Sequence, residues 1–181
     1  MKNKIIIDGF WGTGKTSIMG FLKQKYNYTV INEPDHLKSN DLTESININN
    51  WYIKQHEKNQ KIFFTLNNHD VVMERSIVSS MAYLYATEEN KDTKSALNVF
   101  ARFQKWYLGN NNKVIFVFLY ADKYKLENIT NSIQNAEIKL KLKTSSFKEN
   151  YEQFYRVILP SKYNIYPLFI NIFNENGNRR S

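Results

Sequence analysis

Eight residues near the start of the chain, Gly9-Phe10-Trp11-Gly12-Thr13-Gly14-Lys15-Thr16, constrain this sequence more than any other part of it. They satisfy G-x-x-x-x-G-K-[ST] at every fixed position, and an apolar strand ends at Asp8 while a helical pattern starts at Lys15, which is the context this pattern requires. Glycines there let backbone N–H groups turn inward around phosphate oxygens, and the helix N-terminus that follows adds a favourable dipole. The Lys15 ammonium would reach the β- and γ-phosphates of a nucleotide, and the Thr16 hydroxyl would ligate Mg²⁺. Gly9, Gly12, Thr13, Gly14, Lys15, Thr16 and Ser17 are therefore the expected ATP-binding set, against the bland alternative of a chance glycine-rich turn.

The rest of the chain reads as short apolar strands between helices. Lys4–Asp8, Tyr28–Asn32, Asp70–Glu74, Lys113–Tyr120 and Pro167–Phe173 have strand character, and Lys113–Tyr120 is the clearest, being rich in β-branched and aromatic residues. Helical spacing covers Lys15–Lys25, Asn50–Leu66, Ser76–Thr87 and Lys94–Leu108, with Gly109 as a C′ glycine and Asn110–Asn112 as the turn that follows. Near-continuous apolar strands alternating with helices predict an α/β fold with a parallel sheet covered on both faces. Right-handed crossovers then bring the strand C-terminal ends to one edge, where ligands of open α/β sheets bind.

Composition narrows the class. At 181 residues, with 42% hydrophobic and 23% charged, the chain suits one domain, expected over 1–176 with a flexible tail at 177–181. The absence of cysteine excludes a disulfide scaffold, a thiolate zinc site and a cysteine nucleophile. No run of 18 apolar residues occurs, so the expectation is a cytoplasmic protein without a membrane partner. A formal charge of +8 points to anionic partners, nucleic acid or phosphorylated small molecules among them, and cannot choose between them. His36, His56 and His69 have no metal-ligand spacing and read as surface or loop residues.

Among nucleotide-binding classes, a GTPase lacks its D-x-x-G and N-K-x-D segments here, and an ABC-type ATPase lacks its glycine-rich signature. Large remodelling ATPases are longer chains, which leaves a small kinase. Glu33-Pro34 follows the second strand and Glu74-Arg75-Ser76 the third, with Ser79 and Ala82-Tyr83 soon after. Singly, Glu33 could be a loop acid before a proline turn, and Glu74 with Arg75 a surface ion pair. Together with IIIDGFWGTGKTSI, the EP dipeptide and ERSIVSSMAY resemble the thymidylate kinase and deoxynucleoside kinase branch of P-loop kinases. The likeness runs to about Asp122 and implies a three-layer P-loop kinase fold with a five-stranded parallel sheet. It also implies ATP with Mg²⁺ as phosphoryl donor, a nucleoside or nucleoside monophosphate as acceptor, and a possible homodimer. By position, Lys15, Glu33 and Arg75 would be catalytic, with Glu33 at the acceptor's 5′ oxygen. Glu74 would join Thr16 at the magnesium, and Arg75 would contact the acceptor phosphate or the transferring phosphoryl group.

An acceptor site for a base needs an aromatic surface and an amide. Trp51 and Gln55, at i, i+4 on one helix face, are the candidates, and Phe103 and Trp106 serve either the far side of that pocket or the core. The lid of such kinases normally carries arginines. Here 122–147 contains none and offers Lys139, Lys141 and Lys143, which an extended chain would set on one side and which read equally as a solvated helix or loop face; Arg156 follows on the next helix. Asp122 reads as that region's N-cap. The charge keeps a polynucleotide-end kinase or nucleic-acid-binding protein in view, and the arginine-free lid a nucleotide-binding regulator without transfer activity.

Overall fold

The computed structural model describes residues 2–35, 47–88, 92–108, 114–121, 129–131, 133 and 136–173. The elements, in chain order, are β1 (Lys4–Gly9), α1 (Lys15–Tyr26), β2 (Thr29–Ile31), α2 (Ile48–Thr65), β3 (Val71–Glu74), α3 (Ile77–Thr87), α4 (Thr93–Leu108) and β4 (Val114–Tyr120). Then come α5 (Ala136–Lys143), α6 (Ser145–Gln153), a π-helical turn (Phe154–Ile158), α7 (Leu159–Tyr163) and β5 (Leu168–Asn171). His36, Gly109, Asn110–Asn112, Asp122 and the 177–181 tail lie outside the described residues.

The strands form one parallel sheet in the order β2-β3-β1-β4-β5, as the apolar strands predict. Central β1 pairs Ile6 with Met73 on one side and with Phe116 on the other, and Ile6 and Ile7 are buried in the core. The chain leaves β1 for β2, returns to β3 beside β1, then crosses to β4 on the other side. That change of direction opens a crevice at the C-terminal ends of β1 and β3. Gly9 makes the exit from β1 possible: its φ is +136°, and a Cβ there would lie 2.2 Å from the Leu119 carbonyl oxygen of β4. Gly9→Ala should therefore force the loop and β4 apart, lowering the melting temperature and ATP affinity together; an unchanged thermal melt would show that the backbone yields.

The lysine run folds otherwise than an extended chain. Lys139–Lys143 belongs to helix α5, so Lys139 and Lys143 share a face and Lys141 points elsewhere. The K-L-K-L-K alternation has period two, yet only Leu142 is buried while Leu140 is 69% exposed. A helix cannot bury both leucines, and packing on α6 decides which one wins. Among the described residues no helix is long and apolar enough to cross a membrane.

Candidate active site

The loop after β1 leads into α1 through Gly14, left-handed at φ +86°, so the helix begins at Lys15 as its pattern predicts. Thr13 Oγ1 donates to the Phe10 carbonyl at 2.7 Å, and Lys15 Nζ donates to the same oxygen at 2.9 Å. Lys15 is thereby held across the mouth of its own loop. Burial, and next the Arg75 charge, push its pKa down to about 8, against the pull of Glu33, Glu74 and Asp8. Thr16 Oγ1 lies 3.1 Å from Glu74 Oε2, and Glu74 is held above the usual carboxylate range chiefly by burial.

Beyond Glu74 the chain turns at Arg75, a non-glycine residue at φ +61°. Its backbone N–H bonds the Ile7 carbonyl at 3.0 Å, and Ser76 then caps α3 in a reciprocal box with Ser79. This turn sends the guanidinium back beneath the phosphate loop. There Nη1 meets Asp8 Oδ1 at 3.0 Å and Tyr151 Oη at 2.8 Å, Nε lies 2.7 Å from Glu33 Oε1, and the guanidinium stacks on Trp11 at 4.2 Å. The Nε contact is charge pairing without hydrogen-bond alignment, and Nη2, equally buried, has no partner. Burial opposes the Arg75 charge, but Glu33, Tyr151 and Asp8 outweigh it and hold its pKa well above the usual arginine value.

Asp8, fully buried, is a site residue that sequence reading passed over as the end of a strand. It accepts from Gly9 N at 2.7 Å, Arg75 Nη1 at 3.0 Å, Tyr151 Oη at 3.3 Å and Tyr155 Oη at 2.5 Å, and also from Ser79 Oγ. Tyr151 and Tyr155 come one turn apart where α6 runs into the π-helical turn, which presents both hydroxyls to one carboxylate. The available signal was an aspartate inside an otherwise apolar strand.

A cavity of about 150 Å³ opens beside this cluster. Glu33, Arg75, Ser79 and Ser80 line it together with the rings of Trp11, Tyr52, Tyr83 and Tyr151. Helix α2 contributes Ile48, Asn49, Tyr52, Ile53 and His56. Trp51 and Gln55 do not line it, because they precede Tyr52 and His56 by one residue and hence by about 100° of helix. Trp51 is buried edge-on against Tyr52, at 5.0 Å between centroids, and Phe103 stacks on Phe64 in the core. His56, expected at the surface, is 2% exposed, stacks on Tyr52 and leaves Nδ1 without a partner. His69 is exposed as expected.

The lid candidates divide. Lys141 lies over the Tyr83 ring at 4.5 Å and donates to its hydroxyl, while Ile138 of the same helix lines the cavity. Lys139 donates to the Asn131 carbonyl at 2.9 Å, and Lys143 is exposed. Arg156 pairs with Glu152 at 2.5 Å and stacks on Phe169 at 4.1 Å, so it turns toward β5 and not into the cavity.

His56 gives the site a pH signature. Burial, its largest influence, and Arg75 lower its pKa to about 4 from 6.5, with Glu33 and Asp8 opposing. Between those values the unfolded chain binds the proton that the folded one refuses, so stability falls as pH falls through that window. The slope from this one group is at most about 1.4 kcal/mol per pH unit. His56→Gln should remove that component from urea midpoints measured between pH 7 and 4.5. Parallel profiles for wild type and variant would show that His56 is not held neutral.

A glycine-cradled lysine at the end of a central parallel strand, with a Glu-Arg pair from the neighbouring strand, defines a P-loop nucleotide-binding protein with a kinase-like fold. The chain belongs to the family of the KAP family P-loop domain, which it matches over residues 2–159. Deoxyadenosine kinase from M. mycoides with bound dATP superposes with a TM-score of 0.64 at 17% identity, covering 93% of this chain and 90% of that one. Thymidylate kinase from Candida albicans gives 0.58 at 16%, covering 97% and 87%, and that from Ehrlichia chaffeensis gives 0.56 at 15%, covering 96% and 89%. At such identities the likeness is one of fold, and it agrees with the branch that the motifs resemble. No curated protein sequence gives a match.

Proposed function

We propose that the protein is a Mg-ATP-dependent kinase whose acceptor is a nucleoside or nucleoside monophosphate. The observation that carries this reading is the meeting of Lys15, the Thr16–Glu74 pair and the Glu33–Arg75 pair along one sheet edge, beside an aromatic cavity. The loop's backbone N–H groups and Lys15 would hold the ATP phosphates. Thr16 and Glu74 supply hard oxygen donors at 3.1 Å from each other, which suits Mg²⁺, an ion bound through few protein ligands and the substrate's own phosphates. Bound there, Mg²⁺ would neutralise charge on the phosphates. Among the described residues no trio of His, Asp or Glu offers a separate metal cage.

Glu33 would accept the proton of the attacking hydroxyl, and Arg75, locked by Asp8, would present its unpartnered Nη2 to the transferring phosphoryl group. The lid helix, through Ile138 and Lys141 against Tyr83, would exclude water so that ATP is not simply hydrolysed. An ADP-release assay over deoxynucleosides and their 5′-monophosphates tests the reading. Acceptor-dependent release that requires Mg²⁺ supports it, and release no faster than the acceptor-free background across the panel overturns it.

A further inference from the structure

The phosphate-loop pattern fixes its glycines, the lysine and the hydroxyl, and leaves the places after Gly9 open to any side chain. A tryptophan in one of them is therefore not explained by phosphate binding. Trp11 is half-buried, lines the cavity, and has the Arg75 guanidinium over its ring at 4.2 Å. Helix α6 packs two further rings against the indole, Phe147 at 6.4 Å and Tyr151 at 5.7 Å between centroids. Tyr151 thereby touches both members of the stack, since its hydroxyl accepts from Arg75 Nη1 at 2.8 Å.

The hydrogen bonds of Arg75 leave one freedom open. Asp8 and Tyr151 both bind Nη1, so together they hold a single corner of the guanidinium. Nε has charge pairing with Glu33 without an aligned hydrogen bond, and Nη2 has no partner. A planar group held at one corner can still tilt, and tilting swings Nη2 away from a fixed direction. An aromatic ring lying against the guanidinium restricts that tilt, because the cation–π attraction lasts only while the charge stays over the ring's face. We infer that Trp11 is a positioning residue, which fixes the plane of Arg75 so that Nη2 keeps one direction beside the cavity. Trp11 does this from the same loop that carries Lys15, so one short segment sets both cations. The catalytic consequence rests on the kinase reading above; the hold on Arg75 does not.

The test compares wild type, Trp11→Phe and Trp11→Leu, the first two also made with mono-, di- and trifluorinated tryptophan. Fluorine withdraws charge from the face of the indole at nearly constant shape, so it weakens a cation–π contact and spares mere packing. One readout needs no substrate: the Nε–H resonance of Arg75 in protein carrying isotope-labelled arginine, identified by its loss in Arg75→Lys. The indole ring current should displace that signal in wild type, and Trp11→Leu should return it toward the position of the exposed Arg102. The second readout is turnover with whichever deoxynucleoside or 5′-monophosphate wild type phosphorylates fastest. Trp11→Leu should lower kcat roughly 10–100-fold, as a misaimed catalytic group does, with KM for ATP within about threefold. Trp11→Phe, which keeps a ring, should recover most of that loss. Wild-type kcat should fall with each added fluorine, and fluorination should change nothing in Trp11→Phe, which still carries Trp51 and Trp106. An Arg75 signal indifferent to Trp11→Leu would overturn the inference and leave the kinase standing. So would a kcat indifferent to fluorination, or one that follows it equally in Trp11→Phe. If Trp11→Leu does not fold, the fluorinated wild type decides through both readouts. A ring-sensitive Arg75 signal without transfer to any acceptor would sink the kinase and keep Trp11 as the residue that holds Arg75.

Discussion

Lys15→Ala should abolish phosphoryl transfer while the fold persists. Lys15 is 4% exposed and anchored at 2.9 Å to the Phe10 carbonyl, so its ammonium is already fixed where β- and γ-phosphates would arrive. Loss of one preorganised charge at a reacting centre typically costs roughly 10²–10³-fold in turnover, and here ATP affinity should fall as well. Folding has less at stake, because burying the ammonium there carries a desolvation cost that the alanine variant does not bear. Far-ultraviolet circular dichroism should match wild type while ADP release drops to background. Lys15→Arg should remain impaired, since a planar fork does not replace a compact ammonium inside a closed loop. Unaltered ATP consumption by the alanine variant would mean that the loop does not serve catalysis.

Asp8→Asn should damage folding severely. The carboxylate, fully buried, takes donors from Gly9, Arg75, Ser79, Tyr151 and Tyr155. An amide of the same shape keeps one acceptor oxygen and turns an N–H₂ toward hydroxyl or guanidinium donors. Breaking one partner of a buried ion pair costs roughly 3–5 kcal/mol. For a chain of this size that corresponds to about 6–20 °C in melting temperature. Arg75, released from Asp8, should also lose its aim, so the surviving folded fraction should transfer phosphate poorly. A shift smaller than roughly 2 °C would show that the cluster relaxes around the amide and that the buried pair is not what holds it.

The phosphate loop and the sheet were legible because each is written locally. Gly9, Gly12, Gly14, Lys15 and Thr16 stand at fixed spacing, and the apolar strands each carry enough β-branched and aromatic residues to show themselves. The lining of the cavity was not legible in the same way. Choosing between the Trp51–Gln55 and Tyr52–His56 faces requires knowing how α2 is rotated about its axis, and that rotation is set by the elements packed against it. Both pairs have the same i, i+4 spacing, so periodicity could not separate them. Asp8 was hidden for a different reason. Apart from Gly9, its partners come from two distant segments, 75–79 and 151–155, and nothing near residue 8 announces them. The lysine run left an extended chain and a solvated helix or loop face both open, because its alternation matches a strand; the packing of Leu142 and Ile138 takes it as helix.

The two tyrosines on Asp8 impose an order on biosynthesis. Their hydroxyls come from residues 143 and 147 positions further along the chain, beyond the last central strand. Until that stretch has been synthesised, the aspartate closing β1 cannot be sealed from water, and Arg75 lacks its full set of restraints. A nascent chain can therefore form the β1–β3 pairing early, but it completes the Asp8–Arg75 cluster only when its last third docks. Ribosome-bound chains arrested before residue 151 should for that reason be protease-sensitive around residues 8 and 75, and become resistant once residue 155 has cleared the exit tunnel.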